Sequence, residues 1–525
     1  MVIGAGHHGL VAAALLADAG WDVLVLEQRE RVGGAVASVE RDGVVHDLFS
    51  ACYPLAHASP VLRSLDLDAH GLRWAWADTQ LAHLGDPAAA HTPTIERRAS
   101  DTATRLAEDH PADGRTWLRL VEQYESLKEP LLGALLTGRP GHAARMLARV
   151  GVAALPDAAR FALLPTTRMG EELFRGNAGR QLLAGNALHA DVPPTSPVSG
   201  AFGWLMSMLA QDTGFPAPVG GSGQLALALA RRASAAGVRI ETGVRARRIV
   251  VRDGTARGVE ANGRRIAVRR AVIADTSAHG LYAGLLDAGD VPPGLRARLA
   301  GHVPDPAVVK LTYHLGAPMP WTAPGARGAG VIHLGHDVPG LVRWAADIDS
   351  GRCPQVPFAL VGQMSSIDAS RSPAGSETLW LYTRMPRGVT DEPTARALTD
   401  AAERLLEVYA PGWRDLVVDR FVQTPAGGCL PDGEVGEGAV GGGTSQLMQQ
   451  AWWRPVAGLG GPHTPVRGLY LGSSAAHPGG GVHGAAGANA ARAALAGARP
   501  FTPSVRPALL SRLYRHPDPS WVTRP

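Results

Sequence analysis

Gly4, Gly6 and Gly9 stand at the spacing G-x-G-x-x-G, with His7 and His8 between the second and third glycines, and Glu27 follows eighteen residues after Gly9. Residues of these types at this spacing can hold a dinucleotide. The first glycine permits a sharp turn, the second lets backbone N–H groups approach a pyrophosphate, and the third lets a helix pack closely on a strand. The phosphates then lie on the positive end of the helix, and a carboxylate at the place of Glu27 accepts hydrogen bonds from the ribose hydroxyls. His8 is a candidate phosphate contact. The elements that must position these groups are legible around them: Met1 to Ile3 reads as the end of a buried strand, Leu10 to Ala19 as a small apolar helix, and Trp21 to Leu26 as a second strand. A lone glycine pattern is weak, whereas strand, turn, helix, strand and acid together form one βαβ unit.

The next residues, Glu27-Gln28-Arg29-Glu30-Arg31-Val32-Gly33-Gly34, continue into an arginine-flanked glycine pair. Here the chain resembles the FAD-dependent amine oxidases and phytoene desaturase-like enzymes, in which a segment of the form L-E-x-R-x-x-x-G-G-R wraps the FAD pyrophosphate. The resemblance implies cofactor contacts from Gln28, Arg29, Gly33, Gly34 and Ala35. Ala35 stands where amine oxidases usually place arginine, which favours the desaturase-like branch.

A second anchor lies near the other end, in GLYLGSSAAHPGGGVHGAAGANAARAAL from Gly468 to Leu495. A strand, Leu469 to Leu471, meets Gly472 and Ser473, then a glycine-rich turn with Gly480 and Gly481, then a small-residue helix expected to begin near Val482. Such a helix start aims N–H dipoles at a group that gains negative charge, as the N1/C2=O edge of a flavin does on reduction. The stretch resembles the H-P-G-G-G-V motif of phytoene desaturase-like proteins, including the pyridine nucleotide-disulfide oxidoreductase domain group. Gly472-Ser473 stands where amine oxidases more often carry Gly-Asp. The resemblance further implies that Val244 packs beside the adenine and that the stretch from Asp47 to Pro54 runs beneath the flavin.

A flavin performs hydride chemistry itself, so no catalytic triad is expected. Lys310, in VVKLTYHL, is one of only two lysines, with Lys128. Amine oxidases place a lysine on such a strand, where it holds a water against flavin N5. Lys310 is therefore either a flavin-side lysine or an exposed or salt-bridged one. His477 is a candidate donor to flavin or substrate, with a loop-stabilising role as the alternative, and His483 reads as a helix cap. Cys52 is either a redox or covalent flavin residue or a buried packing thiol, and His57 reads as a loop or helix-start residue.

At 525 residues and 45% apolar composition the chain can bury a large core. The motifs and the resemblance together imply an α/β fold class, with a glutathione-reductase-like Rossmann-type FAD domain (1–72, 215–300 and 440–499), an α+β substrate domain (73–214 and 301–439) of mixed or antiparallel sheet plus helices, and a surface docking tail (500–525). A charge of +4 without a run of like charges gives no sign of nucleic-acid binding. Cys52, Cys353 and Cys429 are too few and too dispersed for a disulfide framework, no metal-ligand cluster is visible, and a cytoplasmic location is expected. The first strand is short, which leads us to expect a few residues upstream of Met1 and no signal peptide. The longest uncharged apolar run, Val198 to Ala210, is too short to span a bilayer. Ala143 to Leu164 sets arginines among apolar residues at helical spacing, either for contact with a membrane surface or as a packed helix with a solvated face. The expected activity is FAD-dependent removal of hydride from a C–C or C–N bond of a small, apolar or secondary-metabolite substrate, with dioxygen, a quinone or another acceptor taking the electrons. Amine oxidation is the enzymatic alternative. A non-redox isomerase or prenyl-binding escort is the alternative of another class, disfavoured by the intact Gly4, Gly6, Gly9, Glu27 set.

Overall fold

The computed structural model describes residues 1–89, 91–426, 441–498 and 505–516; Cys429 and most of the proline-rich tail lie outside them. Its first sheet is wholly parallel, in the order Leu469–Leu471, Val272–Ala274, Val2–Ile3, Leu24–Leu26, Arg239–Glu241. The central strands are apolar because helices cover both faces of such a sheet, while the edge strand Arg239–Glu241 carries charge. One sheet thus collects strands from three distant parts of the chain. A three-stranded antiparallel sheet, Ala246–Arg252, Thr255–Ala261 and Arg264–Ala267, follows. Its turns at Asp253-Gly254 and Asn262-Gly263 have positive φ at both residues, the geometry that matches the strand twist.

The second large sheet has seven strands, in the order Val417–Gln423, Val308–Leu315, Glu377–Arg384, Ala359–Gln363, Ala329–Leu334, Thr79–Leu84, Thr94–Glu96. Only Thr79–Leu84 and Ala329–Leu334 pair in parallel. Helices Ala178–His189, Ser199–Asp212 and Glu392–Tyr409 pack with it, giving the mixed α+β layer expected of the middle of the chain.

Two helix starts and the packing of the tail depart from the sequence reading. The first helix begins at His7, inside the glycine motif, because Gly6 is already its extended N-cap. The C-terminal helix begins at Ala485 instead of near Val482, since Gly484 holds a left-handed backbone that breaks the helical path. The tail helix Arg506–Leu513 is no free docking segment: it buries Leu510, and the following Tyr514 is fully covered, its Oη donating to the Ala457 carbonyl at 2.6 Å.

Asp47 and Arg371 tie the two sheets' surroundings together. Both side chains are fully buried, and Arg371 Nη1 lies 2.7 Å from Asp47 Oδ2. Arg371 also pairs with Asp368 and donates to the Pro218 carbonyl, while Asp47 Oδ1 accepts from Ser38 Oγ and the Ser222 amide. Arg371→Met leaves a buried, uncompensated carboxylate, and we expect it to lower the unfolding free energy by about 3–5 kcal/mol. Urea denaturation followed by tryptophan fluorescence measures this, and Arg371→Lys should lose less because it retains a charge.

Candidate functional site

The glycine motif folds as a closed turn over buried acids. Glu27 is buried, with Oε2 accepting from the Ala5 amide at 2.8 Å and Oε1 from the Arg29 amide at 3.0 Å. Each carboxylate oxygen keeps a further lone pair for a ribose hydroxyl. The Gly33 amide donates to the Ala5 carbonyl at 2.8 Å, and a Cβ on Gly34 would lie 3.4 Å from the Gly6 Cα, so the glycine pair lies directly over the turn. Gln28 and Arg29 are half-buried beside it. The Ala35 carbonyl accepts from Ser50 Oγ, and the amide of half-buried Val244 donates to the Glu27 carbonyl at 2.8 Å.

Asp275 is the residue that sequence reasoning missed. It ends the strand Val272–Ala274, and its Oδ2 accepts from the Gly9 amide at 2.8 Å. A Cβ on Gly9 would sit 2.2 Å from the Gly4 carbonyl oxygen and 3.0 Å from Asp275 Oδ2, which is why no side chain is tolerated there. Burial, with the negative charge of Glu27 adding to it, pushes the Asp275 carboxyl up to about 7. Its only sequence signal was its place at the end of the AVIAD strand, which is no signal until β-strand order is known.

The C-terminal anchor meets the N-terminal one. Gly487 lies so close to the first helix that a Cβ there would overlap the His8 carbonyl oxygen. The ring centroids of His7 and His8 are 3.9 Å apart, and those of His8 and His483 are 5.0 Å apart. His483 caps the helix Ala485–Gly497, as expected: its Nδ1 accepts from the Ala485 amide at 3.0 Å. Both ring nitrogens of His8 and Nε2 of His7 are buried without a hydrogen-bond partner. Burial drives the pKa of His7 down to about 4, that of His483 to about 3, and that of His8 well below its ordinary value, so all three rings are neutral. Gly472 packs on Ile273, and Ser473 Oγ donates to the Thr276 carbonyl at 2.6 Å. Gly480 backs on Gly441, Gly481 faces Leu55, and Val482 is half-buried. His477 is half-buried with Nδ1 unpartnered, its pKa lowered by burial and then by Arg454. Arg454 is wholly buried and donates to the carbonyls of Ser474, Thr444 and Gly441.

Lys310 is buried, which removes the exposed reading. Its Nζ donates to the carbonyls of Asp47 at 2.6 Å and Phe49 at 2.8 Å and lies 5.4 Å from the Trp380 ring centroid. Strand register sets Gln423, Lys310, Tyr382, Leu360, His333 and His83 in one row on one face of the seven-stranded sheet. Cys52 packs against an apolar cluster that includes Trp380 and Leu360, and burial pushes its thiol up to about 12, so it is a packing residue and not a nucleophile. His57 lies on the short helix Pro54–Ala58, beside a cleft of about 700 Å³ walled by Trp74, Trp76 and Lys128. None of the expected site residues lines that cleft.

Residues 2–65 match the NAD(P)-binding Rossmann-like domain. The chain is 28% identical to the pyridine nucleotide-disulfide oxidoreductase domain-containing protein 2 of Rattus norvegicus, over 94% of this chain and 92% of that protein. It is also 28% identical to hydroxyneurosporene desaturase of Cereibacter sphaeroides, over 94% and 97% of the two chains. Its homologues are oxidoreductases. An oxidoreductase from Methanosarcina mazei shares the fold, with a TM-score of 0.61 at 16% identity over 94% of this chain and 99% of that one. The chain is accordingly an oxidoreductase with a dinucleotide-binding Rossmann-type domain, homologous to desaturases.

The residues present suit a bound dinucleotide. The motif glycines form a cradle that any Cβ would obstruct, and unpartnered imidazole nitrogens stand at the start of the first helix. Asp275 bears on this directly. An acid whose folded pKa is raised contributes stability that is present below its ordinary value of 3.8 and lost as pH rises through about 7. Asp275→Asn keeps an acceptor for the Gly9 amide and removes the charge. We therefore expect its melting temperature to exceed that of the wild type increasingly between pH 4 and pH 7, by the equivalent of a few kcal/mol at most, with the two curves converging in acid. Parallel curves would show that Asp275 ionises normally.

Proposed function

We propose that the chain is a FAD-dependent oxidoreductase of the desaturase or dehydrogenase class, acting on a C–C or C–N bond of an apolar substrate. The observation that carries this reading is the meeting of two glycine-rich anchors from opposite ends of the chain, with His8 against Gly487 and the His483 ring. FAD, when bound, accepts the hydride and passes the electrons to an acceptor. Glu27 is assigned to the adenosine ribose, the start of the first helix to the pyrophosphate, and Gly480 to Val482 to the flavin end. Lys310 fixes the backbone of Asp47 and Phe49 and holds an N–H donor in a water-poor setting. The Trp380 ring beside it is stacked with that of Tyr382 at 5.7 Å, which supports an apolar substrate. The relatives named for hydroxyneurosporene and limonene support the same class. The sequence departures at Ala35 and Ser473 place desaturation ahead of amine oxidation.

Purified protein should show flavin absorbance between about 300 and 600 nm and release FAD on denaturation; a colourless protein that takes up no added FAD removes the proposal. Lys310→Met should retain FAD and slow flavin reduction or reoxidation by tenfold or more, about 1.4 kcal/mol or above, in stopped-flow traces. Unchanged rates with full FAD content would leave Lys310 a structural tie.

A further inference from the structure

The helices Pro140–Val150 and Leu155–Leu163, with the single turn Val152–Ala154 between them, contain no fully buried residue. Surface turns are ordinarily polar because water must solvate their backbone, yet Val150 to Pro156 reads VGVAALP, seven residues without one polar side chain. Val152 is 84% exposed, and Leu147 and Leu163 on the flanking helices are 50% and 55% exposed. From Arg139 to Leu163 the hairpin carries Arg139, Arg145, Arg149 and Arg160 against a single acid, Asp157. Arg160 is paired with Glu172, whereas Arg139, Arg145 and Arg149 make no ion pair among the described residues.

We propose that this hairpin is a membrane-docking element that inserts its apolar tip, centred on Val152, into the interface of an anionic lipid bilayer, with Arg139, Arg145 and Arg149 contacting the lipid phosphates. An apolar wedge flanked by guanidinium groups matches the two layers of a bilayer interface, hydrocarbon below and negative charge above. No described helix is long and apolar enough to cross a membrane, so the hairpin lies in the surface and does not span it. The hairpin is attached to the body on either side of Val152: His142 packs against Gly133, Arg149 donates to the Ser126 carbonyl at 2.8 Å, and the Phe161 ring meets Trp204 at 5.6 Å. Trp204 belongs to an apolar cluster that reaches Cys52 and Leu55, and Leu55 faces Gly481. If the proposed activity on an apolar substrate holds, the hairpin sets the enzyme on the phase in which that substrate dissolves. Docking itself does not depend on that activity.

The test is flotation of the full-length protein with vesicles of phosphatidylcholine alone or mixed with phosphatidylglycerol. The wild type should float with the anionic vesicles and lose most of that binding in high salt or in phosphatidylcholine alone. Val152→Asp should weaken binding about tenfold or more, with an unchanged melting temperature, since the side chain touches little of the protein. Arg145→Glu with Arg149→Glu should abolish the preference for anionic lipid. Absent flotation of the wild type overturns the proposal, as does undiminished binding by Val152→Asp. A concentration-dependent dimer that Val152→Asp dissociates, without vesicle binding, overturns it in favour of an interface between copies. Flotation is independent of flavin content, so it fails or succeeds separately from the proposed chemistry.

Discussion

Asp47 is the point on which the two halves of the molecule are registered. Its carboxylate bonds Arg371, Ser38 and the Ser222 amide, and its carbonyl accepts from Lys310. A buried carboxylate is tolerable only with its charge and lone pairs satisfied, so the strand Val44–Asp47, the turn before Gly223 and the seven-stranded sheet must arrive together. That requirement places Lys310 and Trp380 over the stretch that follows Asp47. Position in this protein is set by a fully compensated ion pair, and the site's apolar character is set by what surrounds it.

The second constraint is the approach of the first helix to the helix Ala485–Gly497 of the C-terminal anchor. The helix Ala485–Gly497 is mostly alanine and glycine and the first helix carries an alanine run, and Gly487 admits the His8 carbonyl at a distance no larger residue would allow. Small residues lower the volume between the helices, and close packing then excludes water from the start of the first helix. The imidazoles of His7, His8 and His483 lose hydration there and stay neutral. They bring hydrogen-bonding atoms to a nucleotide site without adding charge that would have to be compensated.

Charge is placed instead at Arg454, a wholly buried guanidinium bonded to main-chain carbonyls beside the C-terminal anchor. Burial brings it down to about 10, still protonated at neutral pH. The resulting arrangement sets a cation behind the Ser474–Gly479 turn and acids, Glu27 and Asp275, beneath the N-terminal one.

The amino-acid sequence alone determined the parts governed by local rules. The glycine turn with Glu27, the apolar strands VVKLTYHL and Leu469–Leu471, and the two Asx-Gly hairpins follow from turn sterics and hydrophobic periodicity over a few residues. That one sheet collects distant segments was implied by the resemblance, not by any local pattern. What only the tertiary structure decided is which distant groups touch. Asp275 under Gly9, Arg371 beside Asp47, the burial of Lys310 and the docking of Tyr514 depend on strand order and on desolvation by residues hundreds of positions away. No local pattern encodes them, because a carboxylate's partner and its proton affinity are properties of the packed surroundings and not of its neighbours in sequence.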